Sequence, residues 1–203
     1  MKRIISLILS SALALGLLSG CGGGTSSAPP ADASPSESGS QSEQGNAAAL
    51  GSLSTFSSDT LDGGIFTQDD VKAKEITVVN FWSTTCGPCI VEMPDLAEFA
   101  KALPDNVQLV TVCLDGYGNE DAVREIVQQA GFEEPVLLTG SDDLLELSRN
   151  LIYTPTTVLA DSDGKLVGDA IIGAKKDLPA VYLEAVNQAL AAGGKDEISL
   201  ETD

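Results

Sequence analysis

The order of apolar and polar positions divides the chain into regions of different character. Ile4 to Leu18 is a run of 15 apolar and small residues broken only by serines and a glycine. It is short for a membrane-spanning helix and has the length of a signal-peptide hydrophobic region. Gly22 to Ser52 is rich in Gly, Ser, Ala, Pro and Glu and has no large apolar side chain before Leu50. Such a segment has nothing to offset the entropy of ordering it, so a flexible linker over residues 21–52 is expected, its reach roughly 30 Å. From about residue 53 the pattern becomes that of a folded domain.

Ile76-Thr-Val-Val-Asn-Phe-Trp82 is a β-branched and aromatic run and predicts a buried strand. A helix is expected from just after Cys86 to Leu103, with Ile90, Met93, Leu96, Ala97 and Ala100 at helical spacing and a kink at Pro94. Val107–Leu114 and Pro135–Thr139 predict two further strands, separated by a helix over 120–130 whose Val123, Ile126 and Val127 share a face. A helix follows over 142–150, opened by an Asp cap. Thr156–Ala160 and Lys165–Ile172 flank Asp161-Ser-Asp-Gly-Lys165, a hairpin signal, and Asp177 caps a last helix to about Ala191. Residues 193–203 form an acidic tail expected to fray. Strands alternating with helices and ending in a hairpin and a helix give an α/β domain over 53–192 with a mixed sheet.

Composition narrows the chemistry. The 203 residues include 30 Asp and Glu against 11 Lys and Arg, with no histidine and a formal net charge of −19. Without histidine there is no Ser-His-Asp triad, Cys-His protease, or His-ligated zinc or haem. A surface this acidic does not suit a nucleic-acid backbone, which is bound by clustered cations. Aromatic residues are only 4% of the chain, so the core is mostly aliphatic. The four cysteines stand in different contexts.

The first, Cys21, follows the cationic start Met1-Lys2-Arg3, the apolar run and Leu18-Ser19-Gly20. Leu18–Cys21 resembles the bacterial lipoprotein processing site, which implies diacylglyceryl transfer to the Cys21 thiol and removal of residues 1–20. A secretory peptide followed by a chance cysteine, or a retained helix, would be the alternatives. Removal of Lys2 and Arg3 leaves 9 basic side chains against 30 acidic ones, net −21. Anchoring would then come from burial of acyl methylenes, at about 0.8 kcal/mol each, rather than from attraction to anionic lipid.

Phe81-Trp82-Ser-Thr-Thr-Cys86-Gly-Pro-Cys89 places a Cys-x-x-Cys directly after a strand and at the start of a helix. Unpaired N–H groups and the helix dipole at that position stabilise a thiolate on the first cysteine. The spacing lets the second sulfur attack a mixed disulfide formed on the first. A structural disulfide, half of a zinc site, or two unreactive core cysteines are the other readings of the same pair. Cys113, inside an apolar strand, reads as a small buried hydrophobe.

These residues bring out a likeness to a known family. The region resembles the TlpA/ResA-like branch of the thioredoxin superfamily, membrane-anchored extracytoplasmic thiol–disulfide oxidoreductases. Val79–Pro94 matches the active-site signature, and Pro155-Thr-Thr157, with Thr154 before it, matches the cis-proline loop. Phe56–Val71 is similar to an N-terminal extension, 120–130 sits at the family's inserted helix, and Asp161–Lys165 with Ile172-Gly-Ala174 matches the terminal hairpin. The resemblance implies a thioredoxin-like fold, a central mixed sheet with helices on both faces. It also implies a Cys86–Cys89 disulfide, Cys86 as attacking and Cys89 as resolving thiol, and a cis Pro155 beside them. Thr154 and Trp82 would contact the substrate. Glu92, three positions after Cys89, would exchange the proton of Cys89; a surface helix carboxylate is the alternative. Asn80 stands where thioredoxin has a buried aspartate, which leaves proton handling to Glu92.

The implied partners are disulfides of exported clients and a membrane thiol donor of the CcdA/DsbD type, at the extracytoplasmic face of a bacterial membrane, with no cofactor or metal. Two features depart from the family. Thr85 replaces the usual Trp before the first cysteine, and Gly87-Pro88 is the pair of thioredoxin itself, which by analogy favours a reductant, nearer about −270 mV than the roughly −120 mV of DsbA. Competing functions are a peroxiredoxin-like peroxidase, for which Ser83 is suitably placed but Val79 occupies the proline position, and a copper chaperone of the Sco type, which uses Cys-x-x-x-Cys with a histidine.

Overall fold

The computed structural model describes residues 45–200; the segment expected to be a signal peptide, Cys21, the expected linker up to residue 44 and positions 201–203 lie outside the described residues. The strands are β1 (Gly45–Asn46), β2 (Ser57–Thr60), β3 (Ile65–Thr67), β4 (Ile76–Trp82), β5 (Val107–Cys113), β6 (Val136–Gly140), β7 (Thr156–Asp161) and β8 (Leu166–Ile172). The helices are α1 (Gln68–Lys72), α2 (Gly87–Lys101), α3 (Glu120–Ala130), α4 (Asp142–Asn150) and α5 (Leu178–Ala192). The strands form one mixed sheet in the order β1-β8-β7-β4-β5-β6-β2-β3. β4, β5 and β6 are parallel neighbours, while β7 runs antiparallel to both β4 and β8.

The period of two along β4 decides which side chain meets which layer. Ile76, Val78 and Trp82 enter one core with Met93, Leu96 and Phe99 of α2, Val123 and Val127 of α3, and Val186 of α5. Val79 and Phe81 enter the other core, with Val71 of α1, Leu144 and Leu147 of α4, and Leu53 and Phe56 from the N-terminal segment. Every residue of β4 is buried, as a central strand covered on both faces requires. Asn80 falls on the α2 and α5 side, a polar residue in an apolar strand.

Three boundaries differ from the sequence reading. The linker was expected to reach Ser52, but β1 pairs with β8, residues 47–49 form a 3-10 turn with Ala47 buried, and Ser52 bridges to Lys165. The neighbouring Leu53 N–H donates to the Gly164 carbonyl at 2.6 Å, and Gly164 has φ +74°. Any Cβ there would fall on the Leu53 backbone, so the hairpin turn needs glycine both for its conformation and for this approach. A few small residues thus suffice to dock the segment that composition alone marks as linker.

The acidic tail also folds back up to Leu200. Asn187 of α5 accepts from the Ile198 N–H (2.8 Å) and donates to its carbonyl (3.0 Å), and Ile198 and Leu200 pack on the first core. At the start of α4 the cap is Ser141, not an aspartate; Asp142 is the first helical residue, at φ +48°. Two of the expected turn and cap residues stand where the sequence puts them. Asp177 caps α5 by accepting from the Ala180 N–H (3.3 Å), and Asp161 holds the β7–β8 turn by accepting from the N–H groups of Asp163 and Lys165, both at 3.0 Å. α2 runs through Pro94 as a single helix.

Candidate functional site

β4 ends at Trp82, a short loop follows, and α2 begins at Gly87 with Cys86 as its N-cap. Pro88 lies in the first turn, where a missing N–H is harmless. Cys86 and Cys89 form a disulfide with Cα atoms 5.3 Å apart, and the Cys86 Sγ accepts from the Cys89 N–H at 3.3 Å. That N–H is one of the orphan donors of the helix start, so the position that would stabilise a Cys86 thiolate is already built into the backbone. Cys86 is half-buried, whereas Cys89 is 1% exposed. The two residues therefore differ in exposure: Cys86 is partly open to solvent and Cys89 is not.

The loop before Cys86 is held by Asp115, just past β5. Its carboxylate accepts from the Thr84 N–H (2.9 Å) and from the Thr84 hydroxyl (2.6 Å). Burial works against the Asp115 charge, but the Thr84 donors outweigh it and hold the carboxyl below its ordinary value. The Cys113 thiol donates to the same carboxylate at 3.3 Å. Burial first, then Asp115, pushes that thiol up to about 12. Cys113 is fully buried and carries no disulfide.

The Thr154–Pro155 bond is cis. In the antiparallel pairing of β7 with β4, Thr156 lies opposite Phe81, which sets Pro155 at the same end of the sheet as the loop leading to Cys86. Pro155 is buried, Thr154 partly exposed, and the two residues before them, Ile152 and Tyr153, are largely exposed, Ile152 at 83%. On the helix side Val91 is 79% exposed. Apolar side chains thus stand open to solvent on both α2 and the loop before Pro155. Trp82 differs from the expectation that it contacts substrate. Its indole is fully buried against the α2 core, because the even positions of β4 face inward there.

One turn along α2 from Cys89 begins a buried polar group. Glu92 is one helical turn after Cys89, on the α2 face turned to the sheet, and is only 4% exposed. Its reading as a surface carboxylate is thereby removed. Burial raises its carboxyl to about 7, against the opposing pull of the Asn80 amide and of the Lys175 backbone and ammonium, with Asp95 adding to the rise. The Asn80 Nδ2 donates to Glu92 Oε1 (3.4 Å) and to Thr157 Oγ1 (2.9 Å), and lies 3.5 Å from the Tyr182 hydroxyl. Tyr182 and Thr157 share a 2.6 Å hydrogen bond. Tyr182 and the Asp115–Thr84 clamp were not singled out from the sequence. No linear motif marks them, since each depends on which strands and helices become neighbours.

A cysteine pair split between an accessible helix cap and a buried first turn, on a sheet of this order, defines a thioredoxin-like thiol–disulfide oxidoreductase. Residues 45–184 match the Redoxin family, and the chain belongs to it. It is similar to the thiol-disulfide oxidoreductase ResA of Bacillus thuringiensis (strain Al Hakam), 31% identical over 127 residues, which cover 62% of this chain and 71% of that protein. It is also similar to the sporulation thiol-disulfide oxidoreductase A of Bacillus subtilis (strain 168), 30% identical over 92 residues, 44% of this chain and 55% of that protein. Among solved structures, StoA from Bacillus subtilis superposes with a TM-score of 0.52 at 25% identity, covering 64% of this chain and 97% of StoA.

Proposed function

We propose that the protein is an extracytoplasmic reductant of client disulfides, tethered through a lipid on Cys21, with Cys86 as nucleophile and Cys89 as resolving thiol. The observation that carries the reading is the unequal exposure of the two cysteines at the α2 N-terminus. In the reduced protein the Cys86 thiolate attacks a client disulfide. A Cys86–client S–S bond forms as the client S–S bond breaks, and one client sulfur leaves as thiolate. Cys89, losing its proton to Glu92, then attacks the Cys86 sulfur. The Cys86–Cys89 bond forms, the second client thiolate leaves, and two electrons have passed to the client. A membrane dithiol donor of the CcdA/DsbD type restores the reduced pair.

Thr154 and Pro155 offer extended backbone beside the sulfurs, to which a client segment would add as a strand. The exposed Ile152, Tyr153 and Val91 supply apolar contact for the residues around its cysteine. Thioredoxin's own Gly-Pro pair between the cysteines supports the reducing direction. Among the described residues no helix is long and apolar enough to cross a membrane, and the tether is assigned to Cys21 on the resemblance of Leu18–Cys21 to a lipoprotein processing site.

The reading is tested by trapping. A Cys89→Ala variant accumulates mixed disulfides through Cys86 that mass spectrometry identifies, and these vanish in a Cys86→Ala/Cys89→Ala variant. Adducts that depend instead on Cys113, or their absence, would refute the assignment. For the tether, a Cys21→Ser variant expressed in a bacterium is expected to lose incorporated palmitate label and to leave the membrane fraction. Label retained by the variant would place the lipid elsewhere.

A further inference from the structure

The Asn80 side chain has two amide protons and three oxygens around them. Thr157 Oγ1 at 2.9 Å takes the first. Glu92 Oε1 at 3.4 Å and the Tyr182 hydroxyl at 3.5 Å are left to share the second. All four side chains are buried, so no bulk water relieves the shortage. Glu92 Oε2 and Asn80 Oδ1 have no side-chain partner among the described residues, so beside the pull of the Lys175 backbone and ammonium a Glu92 carboxylate draws on this one side-chain amide proton.

We propose that Tyr182 is a positioning residue of the redox site: by competing for the second amide proton of Asn80 it weakens the hydrogen bond that Glu92 receives, and so keeps the Glu92 carboxyl ready to hold a proton. Three elements meet to make the competition. β4 brings Asn80, β7 brings Thr157 directly opposite it in register, and α5 brings Tyr182, whose ring is fixed edge-on against Phe99 of α2 at 5.6 Å. The 2.6 Å bond between Tyr182 and Thr157 holds the phenol within reach of the amide. When Glu92 is ionised the amide proton is drawn toward it; when Glu92 is neutral the proton is free to serve Tyr182. The other charged groups facing Glu92 are Asp95 on its own helix and Lys175 from the segment after β8. β4, β7 and α5 contribute only the neutral Asn80, Thr157 and Tyr182, and burial with the nearby Glu92 charge keeps the Tyr182 phenol above its ordinary range.

The inference rests on the proton role of Glu92 only for its effect on turnover; the competition itself is read directly. In the oxidised full chain, labelled with ¹³C at glutamate carboxyls, the Glu92 resonance is followed against pH. Tyr182→Phe keeps the ring against Phe99 and removes the competing oxygen, so the Glu92 midpoint falls, by about one pH unit. Asn80→Leu removes the donor, so the midpoint rises. In the double variant the two changes do not add: with no amide proton to contest, the midpoint equals that of Asn80→Leu alone. A Tyr182→Phe midpoint that stays or rises, or a double variant in which the shifts add, overturns the proposal. Should Tyr182→Phe move the midpoint as stated while the pH–rate profile is unchanged, the competition is upheld and it is the proton role of Glu92 in exchange that fails.

Discussion

Replacing Cys86 with serine is expected to slow reduction of insulin disulfides, with dithiothreitol as electron source, by at least about a thousandfold, to the dithiothreitol background. The nucleophile in thiol–disulfide exchange is a thiolate, and a serine hydroxyl neither ionises near neutral pH nor forms an S–S bond. Backbone donors at the start of α2 cannot compensate, because they act on the charge of a sulfur that is no longer there. Two other thiols remain in the described domain of the variant. Cys89 is almost wholly buried beneath the first helical turn. Cys113 is fully buried, and burial with the Asp115 carboxylate pushes its thiol up to about 12, so it stays protonated near neutral pH. Cys113→Ala should accordingly keep activity within about twofold of the parent, a change the loss of one small buried group allows. Residual activity of Cys86→Ser that disappears when Cys113 is also replaced would show that the buried thiol is reached after all.

Much of this site can be read from a linear motif, and the reason is physical. A redox pair at a helix start needs only a strand end, a short loop and four consecutive residues, all local in sequence; Ile76–Trp82 and the helix after Cys86 are legible for the same reason. Glu92 is equally local, one turn beyond Cys89, yet only the packing of α2 on β4 decides that it points inward. Helical spacing places it between Cys89 and Leu96, but not against Asn80. The Asn80–Thr157 and Asn80–Tyr182 contacts span 77 and 102 residues, and depend on β7 pairing antiparallel beside β4 and on α5 returning over that face. Trp82 illustrates the same limit from the other side. An aromatic residue four positions before Cys86 invites a substrate contact, but the alternation along β4 turns its indole into the core. At the N-terminus, composition misplaces residues 45–52 because their docking relies on backbone pairing with β8 and Lys165, to which side-chain type contributes little.

Glu92→Gln should produce the second large effect, and in opposite directions for stability and for catalysis. Below about pH 4.5 the Glu92 carboxyl is neutral in both the folded and the unfolded chain, and the site carries no charge penalty. As pH rises from there, the unfolded chain releases its proton while the folded one keeps it to about 7, so stability falls by about 1.4 kcal/mol per pH unit. Above 7 both states are ionised and a loss of about 3 kcal/mol persists. Glutamine keeps the shape and the oxygen that accepts from Asn80 but has no proton to lose. Urea unfolding of oxidised Glu92→Gln should therefore match the parent near pH 4 and exceed it by up to about 3 kcal/mol at pH 8. Stopped-flow reduction of a model disulfide should lose the inflection near pH 7 and run at least about tenfold slower at neutral pH, because Cys89 must then give its proton to solvent through a buried site. Equal urea midpoints for the two proteins at pH 8 would mean that Glu92 ionises as readily in the folded chain as in the unfolded one, so that burial does not raise its carboxyl. A gain in stability with an unchanged pH–rate profile would instead leave Glu92 as a buried acid that takes no part in exchange. An ionised carboxylate buried one turn after Cys89 costs stability, and these two measurements separate that cost from the proton exchange proposed for it.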